Sequence, residues 1–378
     1  MTIHWCGTGL SSVPGLRRLI EAGHDVCVWN RSLDKAQHAV GDLTDRIKTF
    51  AFDQLSAEVG EGDIVVSMLP GDWHAKLAEM CINKGAHFVS SSYISPEMRA
   101  LHGKALVRGV ACVNEIGLDP GIDHLMAHHL MAAYRASPAF DPGNDLSFLS
   151  YCGGIPKHPN PFRYKFSWSP LGVLKALRSP SRSIRNYSEL MVQRPWDAIT
   201  SYQAPLPVPE TFEVYPNRDS LPFLNDYGFE PQWRVKEFVR GTLRLGGWSE
   251  AWAGVFEEIE TLDGVTGEAR LQEMSDQFWS EHAYDEEEPD RVVLCVDLKA
   301  EQDGAAVWHN TYVMDAWGDA RGTAMSRLVS VPVALAVEAV LAREIAAGVS
   351  SAPKDPKLIA RFFGEIDILA QHLQIVAH

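Results

Sequence analysis

Cysteine is sparse in this chain. Six occur in 378 residues, at positions 6, 27, 81, 112, 152 and 295, and no two form a C-x-x-C pair. That argues against a disulfide-framed fold or a thiolate zinc site and favours reduced thiols in a cytoplasmic protein. Positive charge is also short. Lys and Arg total 34 against 49 Asp and Glu, a formal net charge of −15. Nucleic acid is therefore not an expected partner, and an anionic ligand would have to meet a local cluster of arginines. No run of about 18 apolar residues is read, so no membrane span is expected. Met1-Thr-Ile-His-Trp5 lacks the basic and apolar regions of a secretory signal, so the sequons at Asn30 and Asn186 carry no weight. Internal repeats and low-complexity tracts are missing as well.

What is present is a length fit for two or three domains and a hydrophobic content of 46%, suited to globular cores. Residues 2–6, 26–29, 63–69, 87–90 and 111–114 read as buried strands. Residues 14–22, 73–84 and 96–108 read as the helices between them. This alternation predicts the α/β class: a Rossmann-type, doubly wound parallel sheet over residues 1–122. After Asp123 the pattern changes. A helix over 125–136 gives way to strands and Gly/Pro turns with aromatics at 148, 151, 162, 164, 166 and 168. An α+β substrate domain is expected over 123–320. The apolar stretch 324–340 reads as a buried helical element broken by Pro332. It opens a C-terminal helical segment, 321–378, expected to return to the nucleotide domain. The acidic stretch 284–290 reads as a solvated loop. Trp233 and Trp248 to Trp252 belong either to a domain core or to the interface of a homodimer.

Gly7-Thr8-Gly9 follows the first strand and precedes a helix. Glycines there allow a tight turn and close approach of a pyrophosphate to the backbone, with the helix N-terminus adding N–H groups. Leu10 and Ser11 continue the turn, and Ser67 ends a neighbouring strand; all are candidate cofactor contacts. The third glycine of the usual fingerprint is missing: Ser12 stands there, and the loop runs on to Pro14-Gly15. At the end of the second strand the acidic residue that would bind the ribose of NAD is also missing. Asn30-Arg31-Ser32 stands in its place, and Arg31 can pair with a 2′-phosphate. NADP(H) is the expected cofactor, with NAD the alternative.

The most informative block is Asn114-Glu-Ile-Gly-Leu-Asp-Pro-Gly-Ile-Asp-His124, just beyond a strand end, where such folds bind ligands. Four more stand out: Ser91-Ser-Tyr-Ile-Ser-Pro96; Tyr151-Cys-Gly-Gly-Ile-Pro156 with Asn160 to Pro170; Tyr215-Pro-Asn-Arg-Asp-Ser220; and Arg240-Gly-Thr-Leu-Arg244. In order and spacing these blocks resemble the saccharopine dehydrogenase (saccharopine reductase) family, from Gly7 to about Glu338. The stretch from about Gln272 to Trp308 carries none of them.

The resemblance implies pyridine-nucleotide chemistry at a C–N bond in lysine metabolism. An imine links saccharopine to glutamate and 2-aminoadipate 6-semialdehyde. A substrate with three carboxylates needs guanidinium forks, and Arg218 and Arg244 are the candidates. Ser92 and Tyr93 can bond a carboxylate or the nicotinamide amide, or else belong to a helix cap. Lys165 either contacts substrate or snorkels from an aromatic strand. Asp119 is the first candidate proton acceptor. Cys152, which the resemblance places in the site, is the second. Asp123 and His124 are read as anchoring the helix or ordering the site. His124 and His128 stand one helical turn apart, as in H-E-x-x-H, with His129 beside them, but the intervening glutamate and a third ligand are missing, so no metal is expected. The alternatives are a polyamine enzyme, such as a carboxynorspermidine dehydrogenase or homospermidine synthase, and a nucleotide-binding regulator without turnover.

Overall fold

The computed structural model describes residues 1–378, which form two compact units. One holds residues 1–125 and 326–366, the other 126–325 and 367–378. The strands, in chain order, are β1 (Ile3–Cys6), β2 (Val26–Asn30), β3 (Ile47–Thr49), β4 (Ile64–Ser67), β5 (His87–Ser90), β6 (Ala111–Val113), β7 (Asp145–Pro156) and β8 (Ser181–Arg185). They continue as β9 (Ser188–Val192), β10 (Thr200–Ala204), β11 (Glu210–Pro216), β12 (Arg234–Leu245), β13 (Asp290–Gln302), β14 (Ala305–Trp317), β15 (Gly348–Ser350) and β16 (His372–Ala377).

The first unit is built on a seven-stranded, all-parallel sheet in the order β15-β6-β5-β4-β1-β2-β3. Every residue of β1 and β4 is buried, as a parallel sheet covered on both faces requires. Register brings Cys6, Trp29 and Ser67 side by side at the carboxyl ends of β1, β2 and β4, with Ser90 of β5 next to Ser67. One sheet edge thus gathers Gly7, Asn30, Ser67 and the segment after Ser90.

Several expectations need correction. Short β3, the helices Leu33–Val40 and Phe52–Glu58, and β15 were not anticipated. The expected helix over 96–108 is two helices, Pro96–Ala100 and His102–Arg108, that meet at Leu101. The helix Ala324–Leu341 is not broken: it runs through Pro332, which removes only the bond to the Leu328 carbonyl. By length and composition this helix could cross a membrane, contrary to the expectation of no such run, but it is mostly buried inside the protein. Residues 326–366 lie in the first unit, whereas 367–378 do not. The final strand β16 pairs with β14, so 321–378 does not return as one piece.

The second unit carries a nine-stranded mixed sheet, with the path β10-β11-β12-β7-β13-β14-β16 and a β8–β9 hairpin joined through β12. Only β7 and β12 run parallel. Against it lies an aromatic core that includes Tyr164, Phe166, Tyr215, Trp248, Trp252 and Phe278. Trp233, Trp248 and Trp252 are therefore core residues. The 284–290 stretch is not uniformly solvated either. Asp290 is fully buried, and its carboxylate accepts from the Ala324 and Met325 amides at 2.7 and 2.8 Å.

Candidate functional site

In the first unit the phosphate turn is fixed by short contacts. Gly7 has φ +105°, and a Cβ on it would lie 2.9 Å from the Met68 carbonyl oxygen, so no other residue fits. The turn is tied to the end of β2 because the Thr8 amide donates to Asn30 Oδ1 (3.2 Å), while Asn30 Nδ2 donates to the Ser32 carbonyl (2.8 Å). Asn30 is therefore spent on shaping the turn. Ser12 is buried and donates to the Gly7 carbonyl at 2.6 Å. The close packing that a third glycine normally allows falls to Gly15, whose amide donates to Ser330 Oγ at 2.8 Å. Beside Gly9 the space is open, and Leu10 is exposed; Ser11 is half-buried. Ser67 is closed off from solvent, and its hydroxyl has no hydrogen-bond partner. Arg31 is exposed, and no ion pair engages it. Backbone donors, an open approach at Gly9 and an unengaged guanidinium beyond β2 suit a phosphorylated dinucleotide.

The Leu118-Asp119-Pro120-Gly121 turn follows β6. From Ala111 to His128 every residue is buried except Asp119. The turn is closed on itself: the Gly117 amide donates to the Pro120 carbonyl (2.9 Å) and the Ile122 amide to the Gly117 carbonyl (3.0 Å). Gly121, at φ +148°, lies so close to Gly117 that a Cβ would sit 2.1 Å from its carbonyl oxygen. Asp119 Oδ1 accepts from the Tyr93 hydroxyl at 3.1 Å. The following helix is capped by Ser95, whose Oγ accepts from the Met98 amide, so Ser92 and Tyr93 do not serve as its cap. Ser92 Oγ instead lies 3.2 Å from His74 Nε2, and His74 Nδ1 lies 3.1 Å from Ser90 Oγ. Burial holds the His74 imidazole at about 4, well below its ordinary value. Neither His74 nor Glu115, which accepts from the Ile94 amide at 2.8 Å, was anticipated as a supporting residue. Glu115 left one signal, an acid set among apolar neighbours inside the most unusual block of the sequence.

In the second unit Arg244 is 5% exposed on β12. Its guanidinium carbon lies 4.8 Å from the Tyr164 ring centre, 5.4 Å from Trp248 and 5.7 Å from Tyr215. One Nη donates to the Leu243 carbonyl at 3.3 Å; Nε has no partner, and no carboxylate pairs with the group. A buried cation without a counter-charge is costly. Burial pushes the Tyr215 phenol up, with Arg244 pulling the other way. Arg218 is exposed, with φ +56°. Its neighbour Asp219 is engaged by Arg182 at 2.7 Å and is not its ion-pair partner. Lys165 is paired with Glu288, and with Asp285 at 3.7 Å, in an ion pair within the second unit. Burial opposes the ionised form of Glu288, yet the Lys165 ammonium holds its carboxyl below the ordinary value. Cys152 lies on β7, 9% exposed, and all six cysteines are buried, none of them in a disulfide. None of the anticipated site residues lines a cavity of ≈1020 Å³ found between residues 177 and 260.

Two family models match the chain. The Saccharopine dehydrogenase NADP binding domain matches residues 3–113, and the Saccharopine dehydrogenase C-terminal domain matches 117–368. The Saccharopine dehydrogenase [NADP(+), L-glutamate-forming] of Pyricularia oryzae is 36% identical over 254 residues, 65% of this chain and 54% of that protein. Alpha-aminoadipic semialdehyde synthase of Arabidopsis thaliana is 35% identical over 233 residues, 59% of this chain and 21% of its own length. The matched region thus spans about half, or less, of these curated relatives. Among solved structures, apo saccharopine dehydrogenase (L-Glu forming) from Saccharomyces cerevisiae matches with a TM-score of 0.83 at 25% identity, covering 100% of this chain and 99% of that one. Homospermidine synthase from Legionella pneumophila, at 11% identity, TM-score 0.69 and coverage of 100% and 91%, shares the fold alone.

Proposed function

The chain belongs to the saccharopine dehydrogenase family, and from that membership we propose that it is an NADP-dependent oxidoreductase of lysine metabolism. Its reaction is the interconversion of saccharopine with L-glutamate and 2-aminoadipate 6-semialdehyde. The observation that carries the substrate reading is Arg244, a buried guanidinium with no carboxylate of its own. A substrate carboxylate would supply the missing counter-charge, and the Tyr164, Tyr215 and Trp248 rings keep the guanidinium out of water. This favours a carboxylate-rich substrate over a polyamine, whose ammonium groups Arg244 would repel. Arg218 is the second proposed fork.

Gly7, Gly9, Leu10 and Ser11 would hold the pyrophosphate of NADP, and Arg31 its 2′-phosphate. Bound NADP would supply hydride acceptance. The residues of the chain manage protons. A secondary amine must be neutral before it can lose hydride, so a base must take its proton; a second proton leaves the water that hydrolyses the imine. Asp119 is proposed for this work. It is the one partly open group in a buried stretch, and the Tyr93 hydroxyl orients it. Cys152 remains a second proposed participant, and Ser92 a substrate contact. Six buried cysteines, none of them in a disulfide, support a reducing compartment such as the cytosol.

The test is absorbance at the reduced-nicotinamide band with purified protein, saccharopine and either cofactor. The band is expected to grow with NADP. Growth with NAD alone would overturn the 2′-phosphate reading of Arg31. No change in either direction of the reaction would overturn the function.

A further inference from the structure

Three ionisable side chains lie beneath the Asp119 turn and take no part in the chemistry proposed above. Glu115, Asp123 and His124 are 4%, 0% and 2% exposed. Charged groups are rarely buried together without a purpose that outweighs desolvation. Each carboxylate grips a backbone amide. Glu115 Oε1 accepts from Ile94 at 2.8 Å, and Asp123 Oδ1 accepts from Gly121 at 2.7 Å. The imidazole lies between the two acids. His124 Nε2 is 3.3 Å from Glu115 Oε2, and Nδ1 is 3.7 Å from Asp123 Oδ2. A line of contacts therefore runs from the Ile94 amide through Glu115, His124 and Asp123 to the Gly121 amide, with hydrogen bonds at its two ends and ion-pair distances, not hydrogen bonds, at the imidazole.

The ends of that line matter. Ile94 follows Tyr93, and Gly121 stands two residues after Asp119. The Glu115 amide also donates to the Ser92 carbonyl at 3.0 Å, so Glu115 holds the 92–94 segment at two points. Tyr93 and Asp119 come from segments 26 residues apart, yet their side chains meet at 3.1 Å. We infer that Glu115, His124 and Asp123 form a buried strut that fixes the Asp119 carboxylate against the Tyr93 hydroxyl. They are positioning residues: they act on the reacting groups through the backbone that their contacts hold. This inference rests on the reading of Asp119 as proton acceptor. A plain helix anchor would hold the start of Ile122–Ala136 but would leave the efficiency of Asp119 untouched.

The experiment compares His124→Gln and Glu115→Gln with the unaltered full chain. The strut predicts that kcat falls about 10- to 100-fold, the scale of a catalytic group displaced by about an ångström. The saccharopine KM and the NADP dissociation constant stay within threefold. In an Asp119→Asn background His124→Gln should cost nothing further, because the group it positions is already disabled. In His124→Gln, amide hydrogen exchange of the substrate-free protein should quicken at Ile94 and Gly121. Should His124→Gln fail to fold, Glu115→Gln carries the kinetic readouts and the exchange at Gly121, while Ile94, which the Gln oxygen can still hold, should keep its protection. A kcat within twofold of the unaltered protein, or an equal loss in the Asp119→Asn background, would overturn the strut. If the unaltered protein does not turn over saccharopine, the proposed function fails by itself. Exchange then decides the strut, and unchanged protection at Gly121 overturns it.

Discussion

At the scale of single residues, Arg244 separates stability from function. Its guanidinium is caged by three aromatic rings and lacks a counter-ion, so the folded chain bears the desolvation of a charge that no internal carboxylate repays. Arg244→Met keeps the length and apolar body of the side chain. Saccharopine KM is expected to rise on the order of 100-fold, the loss of a charge-assisted hydrogen-bond pair. Stability to urea should hold or improve by about 1 kcal/mol. Steady-state kinetics beside urea unfolding checks both, and a variant that loses stability while keeping its KM would mark Arg244 as a structural cation. Sequence chemistry was enough to single out Arg244, Asp119 and Tyr93, because acids, phenols and guanidinium groups at strand ends announce themselves. It did not reveal the ion pair of Lys165. Its partner Glu288 lies 123 residues on, in a stretch with no recognisable motif, and nothing local declares such a pair. The aromatic cage was hidden for the same reason: Tyr164 and Trp248 are 84 positions apart.

At the scale of elements, the helix Val13–Glu21 and the helix Ala324–Leu341 touch through a glycine. A Cβ at Gly15 would lie 2.0 Å from the Ser330 carbonyl oxygen and 2.4 Å from its carbon, both backbone atoms that cannot swing aside. Alanine improves helix propensity by about 1 kcal/mol, but the clash should cost about 3. Gly15→Ala is thus expected to lose about 2 kcal/mol in urea unfolding. Gly9→Ala is the control. Nothing lies within 4 Å of its Cβ, so stability should hold while NADP affinity falls, because the open space is where a pyrophosphate would approach. Equal stability losses in both would contradict the packing role of Gly15. The parallel sheet was legible in its buried strands because runs such as Ile64–Ser67 are apolar on both faces. β3 escaped notice as a three-residue edge strand with two exposed positions. The mixed sheet was less legible still. Its central strand β7 pairs with β13 and with β12, pairings between distant segments that no local periodicity encodes.

At the scale of the whole molecule, acid should unfold this chain through its buried histidines as well as its paired acids. His4, His74, His87 and His129 all have imidazoles that burial disfavours charging. The largest resolved case is His74, held at about 4 against an ordinary value of 6.5. Above about pH 6.5 the ring is neutral in both the folded and the unfolded chain, and it makes no pH-dependent difference. Between 6.5 and 4 the unfolded chain binds a proton at His74 that the folded chain refuses, so unfolding gains ground as the pH falls. A span of about 2.5 pH units at about 1.4 kcal/mol each makes the full loss about 3 kcal/mol, complete near pH 4. His74→Gln removes the titrating ring, and its amide can still reach Ser92. It should give up some stability at pH 7, where the contacts to Ser90 and Ser92 are intact. Its stability should then fall less steeply than that of the unaltered chain between pH 6.5 and 4. Urea midpoints at four or five pH values across that window decide the point. Parallel declines would mean that His74 takes up its proton within the fold, which its hydrogen bonds to two serines and its near-complete burial argue against.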